Sequence, residues 1–261
     1  DDTRACRSPE PPPVPSPSPA PSPSPAPSPD TFSTQDGIRF RVEAVATGLQ
    51  VPWSMAFAPD GRLFVTERPG RVRIVNTATG TSELALTLDG VFAQGEAGAL
   101  GLVLDPAFAD NQWVYLYHSA AAGSGGAVNR IVRYREVASR LVERIVLLDG
   151  IPAGSIHHGG RLRFGPDGLL YITAGDAANM SLPQDLGSLA GKILRITRGG
   201  AIAPGNPFGG SPIYSWGHRN PQGLDWHPQT RELWASEHGA TGNDEINVIR
   251  SGVNYGWPTI Q

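Results

Sequence analysis

The sequence predicts an all-β fold of the β-propeller type, on three observations. A phrase recurs four times: FAPDGRLFVTERPGRVRIV from Phe57, LDPAFADNQWVYLYHS from Leu104, FGPDGLLYITAGD from Phe164 and WHPQTRELWASEHG from Trp226. Each copy sets an apolar residue two positions before a proline, then a turn, then a β-rich strand. The marker prolines Pro59, Pro106, Pro166 and Pro228 stand 47, 60 and 62 residues apart, the spacing of propeller blades that carry insertions. Finally, no stretch sustains a helical apolar period over about ten residues. A β-sandwich would account for many short strands, but not for a phrase repeated at blade spacing.

Along the chain, residues 1–30 come first and hold 12 of the 25 prolines. The Pro-Ser and Pro-Ala alternation from Pro9 to Pro29 cannot bury apolar surface and favours extended polyproline geometry. Residues 1–36 are therefore expected to be a disordered spacer, and residues 37–261 the propeller domain. Cys6, the only cysteine, lies in the spacer, so no disulfide pair exists within the chain. It is either an inert exposed thiol or the lipid-anchor site of an exported bacterial protein, although no apolar signal segment precedes it.

The first and third copies write their turn as Asp60-Gly61 and Asp167-Gly168, a strong hairpin signal. The second and fourth are looser, and the four copies together predict about four blades. A net charge of -3, with Lys192 the single lysine, gives no reason to expect nucleic acid or an anionic membrane as partner. No apolar run approaches the ~18 residues of a transmembrane helix.

Polar residues with chemical capacity gather in three segments. IHHGGRLRF…GD supplies His157, Arg161 and Asp176; YSWGHRNPQGLDWHP supplies His218, Arg219 and Asn220; SEHGATGNDEINVI…NYGWP supplies Glu237, His238, Asp244 and Glu245. Loops at one end of a propeller form its ligand site, so charged residues at strand ends are natural candidates. Each also has a structural reading. His157 could bond across a blade junction, Asp176 could be a turn residue, Arg219 could pin a loop, and Asp244 and Glu245 could be solvated or hold a structural cation. In an extended strand His157 and His158 would point to opposite faces, so one is expected to be chemical and the other structural or solvated. The histidines lack zinc-site spacing. No G-x-S-x-G elbow supports a serine nucleophile, and no G-x-G-x-x-G follows a strand to bind a nicotinamide cofactor.

Taken together, GLQVPWSMAFAPDGRLFVTERPGRV, GEAGALGLVLDPAF, HHGGRLRFGPDGLLYITAGD, GKILRI, GHRNPQGL and DEINVIRSGVNYGWP resemble the soluble PQQ-dependent glucose and aldose sugar dehydrogenases. These quinoproteins are six-bladed β-propellers, and the resemblance runs from about Gly48 to Pro258. GKILRI alone is weak; GHRNPQGL and DEIN…NYGWP, in order after HHGGR…GD, are specific. The resemblance implies that His157 is the general base and Asp176, nineteen residues on, its partner, with His158 at the site's edge. It implies oxidation of an aldose at C1 to the lactone, with hydride passing to PQQ and the electrons then to an external quinone, dye or cytochrome. Arg219 and Asn220 match the cofactor-facing pair, Arg219 stabilising charge that grows on the quinone oxygen, and Glu96 matches a polar position beside sugar and cofactor. Calcium beside PQQ would rest on main-chain carbonyls at Gly239 and Ala240. Asp244, Glu245 and Tyr255 match further calcium sites that accompany dimer contacts in some members, so a homodimer is part of the implied picture. A bacterial periplasmic or extracellular location is implied as well.

The departure from the pattern is in blade number. The family closes its ring with six blades, and later blades carry basic residues that grip the PQQ carboxylates. Lys192 does not match those positions, and the four copies predict a partial propeller. Two other functions compete: a calcium-dependent, lactonase-like propeller hydrolase, which needs Asp, Glu and Asn side chains converging on one ion, and a non-catalytic propeller acting as a binding module.

Overall fold

A computed structural model describes residues 31–260 except Ser124. Cys6 and the Pro/Ser run lie outside the described residues. The chain divides into two compact units, Asp1–Ala44 and Val45–Gln261. In the first, β1 (Thr31–Ser33) and β2 (Arg39–Arg41) pair as an antiparallel hairpin, with Phe32 stacked on Phe40. The 36/37 boundary expected from composition falls inside this hairpin. Past Pro29 the sequence turns to threonine, isoleucine and phenylalanine, which pair well as strands.

The second unit is built of four antiparallel meanders, and the expected all-β propeller arrangement is present. The first blade is β3 (Pro52–Phe57), β4 (Arg62–Glu67), β5 (Arg71–Asn76) and β6 (Ser82–Thr87). The second is β7 (Ala99–Leu104), β8 (Trp113–Ala121), β9 (Ala127–Val137) and β10 (Arg140–Pro152), with a single helical turn, α1 (Phe108–Asn111), between β7 and β8. The third is β11 (Leu162–Phe164), β12 (Leu170–Ala174), β13 (Lys192–Ile196) and β14 (Ile213–Trp216); the fourth is β15 (Pro221–Trp226), β16 (Leu233–Glu237) and β17 (Glu245–Ile249). The recurring phrase is the first hairpin of each blade. In the clear copies its mechanism is local and repeated. Gly61 and Gly168 adopt positive φ, their N–H groups donate to Ala58 and Gly165 carbonyls, and the Asp60 and Asp167 carboxylates accept the next N–H but one beyond each aspartate. In the second copy α1 replaces the tight turn.

The first strands of successive blades lie side by side, β7 against β3 and β11, and β11 against β15. Period-two alternation sends neighbouring side chains of one strand into different seams. Val114 and Leu116 of β8 join Phe64, Val72 and Ile74 between the first and second blades. Tyr115 and Tyr117 join Leu162, Leu170 and Ile172 between the second and third. Tyr171 and Ile193 join Leu224, Leu233 and Ile249 between the third and fourth. Each fully buried side chain of this size contributes roughly 1.5–3 kcal/mol. The inner blades bury both faces, so WVYLY and LLYITA read as continuous apolar runs rather than alternating ones. In the end blades Met55 and Phe57, and Ile246, are exposed.

Candidate active site

The connection into β11 and the loop after β12 bring His157 and Asp176 together. His157 has φ +63°, a left-handed conformation costly for a residue with a side chain. Three contacts hold it there: its N–H donates to Glu96 Oε2 at 2.8 Å, its carbonyl accepts the Ala177 N–H at 3.2 Å, and its Nδ1 lies 2.7 Å from Asp176 Oδ1. Gly175 makes this approach feasible. A Cβ built there would overlap the His157 carbonyl and come within 3.0 Å of Asn220 Oδ1.

Asp176 is 1% exposed. Its Oδ1 also accepts the Ala178 N–H at 2.8 Å, and its Oδ2 accepts the Trp257 indole N–H at 2.8 Å. A carboxylate surrounded by donors acts as an acceptor. The proton of the neutral His157 ring is therefore assigned to Nδ1, leaving the Nε2 lone pair available. The His157 side chain keeps 11% of its surface exposed.

Arg219 is tied to the same carboxylate through the backbone, its carbonyl accepting the Asp176 N–H at 2.7 Å. Its own N–H donates to Glu237 Oε1. The guanidinium donates to the His238 carbonyl at 3.1 Å and lies 5.4 Å from the Trp257 ring centroid. Arg219, Gly239, Ala240, Glu245, Tyr255 and Trp257 line one hollow. His157 lies outside that wall, joined to it through Asp176 and Trp257.

The other candidate residues divide by what they touch. Asn220 stitches loops, its Oδ1 accepting the Gly159 N–H at 3.0 Å and its carbonyl the His238 N–H at 3.3 Å. Asp244 is exposed; its Oδ1 accepts the Gly239 N–H at 3.0 Å and lies 3.8 Å from His238 Nδ1. Glu245 Oε2 accepts from Asn247 at 2.8 Å. The Tyr255 hydroxyl donates to the Val248 carbonyl and accepts the Arg250 N–H. Among the described residues no group of three or more His, Cys, Asp or Glu side chains is arranged to hold a metal ion.

His158 is not at the site's edge. It is buried between the second and third blades, with Nδ1 3.1 Å from Asn129 Oδ1 and its carbonyl accepting the Tyr117 hydroxyl at 2.8 Å. Burial pushes its ring down to about 4. His218 is equally internal, held between Glu237 and Ser215 and stacked on Tyr255. Arg161 donates to the Gln222 carbonyl and covers the Trp53 ring. Lys192 is fully buried, and burial pushes its ammonium down to about 8. It remains protonated at neutral pH, its three donors meeting the carbonyls of Leu182, Pro183 and Ala190. Trp257 has no part in the sequence reading, although NYGWP was visible as a motif; its partner Asp176 is 81 residues away.

The family model described as glucose/sorbosone dehydrogenase matches residues 49–261. The aldose sugar dehydrogenase YliI of Escherichia coli (strain K12) is 36% identical over 228 residues, covering 83% of this chain and 61% of that protein. Quinoprotein glucose dehydrogenase B of Acinetobacter calcoaceticus is 32% identical over 261 residues, covering 88% and 54%. The chain thus spans little more than half the length of these curated relatives. The PQQ-bound aldose sugar dehydrogenase from Streptomyces coelicolor is 43% identical, with a TM-score of 0.80 over 84% of this chain and 66% of that one.

Proposed function

The chain belongs to the glucose/sorbosone dehydrogenase family, and from that premise we propose that it serves PQQ- and Ca²⁺-dependent oxidation of an aldose at C1 to the lactone, with electrons passed to an external acceptor. The observation that carries the reading is the oriented pair of His157 Nδ1 and Asp176 Oδ1 at 2.7 Å, linked by backbone and indole to Arg219. The hollow beside it fits the cofactors in chemical kind. Its lining at Gly239 and Ala240 carries no side chain larger than a methyl. Main-chain oxygens and carboxylates are hard ligands suited to Ca²⁺, and Gly239 and Ala240 would hold it. Arg219, with one guanidinium nitrogen on the His238 carbonyl, has further N–H groups for an anionic acceptor. Glu96, which spends one carboxylate oxygen on His157, would meet the sugar with the other.

When bound, PQQ supplies a two-electron acceptor and Ca²⁺ a Lewis acid that polarises it. His157 Nε2 takes the proton of the anomeric hydroxyl as the C1–H bond breaks. Asp176 keeps the ring in the tautomer that can accept it and stabilises the resulting imidazolium. Arg219 places positive charge where negative charge develops. The hydrolase alternative needs Asp, Glu and Asn side chains converging on one ion, whereas the groups gathered here are a histidine–aspartate pair and an arginine.

An exported bacterial location and a homodimer belong to the same proposal; among the described residues no helix is long and apolar enough to cross a membrane. The test is glucose-dependent dye reduction by the purified chain incubated with PQQ and Ca²⁺. His157→Ala should lower the rate by at least about 100-fold, the usual size of a general-base contribution. Failure to retain PQQ, or turnover indifferent to His157→Ala, would overturn the reading.

A further inference from the structure

Trp257 is buried, 8% exposed, at the point where the base pair and the cationic group meet. Its indole N–H donates to Asp176 Oδ2 at 2.8 Å, and its ring lies beneath the Arg219 guanidinium. The residue is itself pinned: its N–H donates to the Gly217 carbonyl at 3.0 Å and its carbonyl accepts Gln184 Nε2 at 2.6 Å. Gln184 and Asn254 exchange amide hydrogen bonds at 3.1 and 2.8 Å, fastening the loop after Asp176 to the NYGW segment.

We propose that Trp257 is a positioning residue for the reaction, locking Asp176 so that Oδ1 faces His157 Nδ1 while supporting Arg219 from below. A carboxylate can turn about its Cβ–Cγ bond. Here the His157 ring and the Ala178 N–H both use Oδ1, and the indole is the donor for Oδ2. Without the indole, Oδ2 would be buried with no donor, and a buried acceptor in that state is driven to rotate, hydrate or protonate. Any of these loosens the His157 tautomer. One side chain therefore sets both the base and the charge that stabilises the departing electrons' acceptor. The inference rests on the dehydrogenase reading for its catalytic arm only.

The first arm needs no cofactor. In ¹⁵N-labelled full-length chain, the His157 ring signals are identified by their loss in His157→Gln. They should report a proton on Nδ1 at neutral pH, and Trp257→Phe, which keeps a ring but removes the N–H, should give mixed tautomers while His227 is unchanged. If Trp257→Phe does not fold, His157→Gln decides: the Trp257 indole proton signal should move on that substitution, because both side chains bond to Asp176. A folded Trp257→Phe with the His157 tautomer intact, or an indole proton indifferent to His157→Gln, overturns the proposal. In the second arm, with PQQ, Ca²⁺ and glucose, Trp257→Phe should lower kcat by about 10- to 100-fold, the usual cost of losing a hydrogen bond that supports a site residue. KM for the sugar should stay within about twofold; unchanged kcat counts against the proposal. If the parent itself shows no dye reduction, the dehydrogenase reading fails while the tautomer arm still judges Trp257.

Discussion

At the scale of single residues, the candidate site depends on a histidine held in an unfavourable backbone conformation by partners from the connection before β7 and from the loop after β12. Glu96, Asp176 and Ala177 each hold one group of His157, so strain at this position is balanced by contacts remote in sequence. Asp176→Asn tests the arrangement. The asparagine oxygen can still accept from Trp257 in the place of Oδ2, but its amide then takes the place of Oδ1, where it gives up the Ala178 N–H contact, donates to His157 Nδ1 and moves the ring proton to Nε2, the nitrogen proposed to act as base. Dye reduction should fall by about three to four orders of magnitude, the cost of the wrong tautomer in comparable dyads, with the urea midpoint nearly unchanged. A loss below about tenfold would remove Asp176 from that role. The His157–Asp176 pairing was legible only through the family resemblance carried by HHGGRLRFGPDGLLYITAGD, because nothing in the spacing itself brings the two side chains together. Trp257 was not, since an indole N–H acquires its task only from a carboxylate in another blade.

At the scale of elements, the hairpins were the most legible part of the fold. Pro-Asp-Gly carries its own turn chemistry, so β3–β4 and β11–β12 could be read from residues within one turn. The sorting of β8 into two seams could not, because a strand buried on both faces shows no polar alternation to mark its sides. The end of β12 is where local packing governs the site. Gly175 has no left-handed φ, so alanine is allowed there conformationally and its effect is purely steric. A methyl would overlap the His157 carbonyl and crowd Asn220 Oδ1. Gly175→Ala should cost about 1–3 kcal/mol, as overpacking of tight cores does, and should depress dye reduction together with stability. Urea unfolding gives the first value and the steady-state assay the second. A Gly175→Ala chain as stable and active as the parent would mean that the close approach is dispensable.

At the scale of the whole molecule, buried histidines outside the proposed base pair carry a pH dependence of stability. His118, 1% exposed and part of β8, and His158, 2% exposed, are both buried, each with an Nε2 that has no hydrogen-bond partner among the described residues. Burial pushes both rings down to about 4. Arg130, Arg144 and Asp149 act on His118, and Glu96 and His157 on His158, all as smaller influences than burial. Unfolding returns each ring to the ordinary value of 6.5. Between pH 6.5 and 4 the unfolded chain therefore binds protons that the folded chain refuses, and stability must fall as pH falls through that window. Each ring contributes at most about 1.4 kcal/mol per pH unit. Glu67, which burial alone would raise, is held below the ordinary carboxylate range by the Gln50 N–H and by Arg71 and Arg73, so its own loss of stability comes at lower pH. Urea midpoints at pH 7.0, 6.0 and 5.0 should decline steadily, and His118→Gln or His158→Gln should flatten the decline by one proton's share even where it lowers the midpoint at pH 7. Parallel declines in the parent and both variants would show that these two histidines do not set the acid limit of the fold.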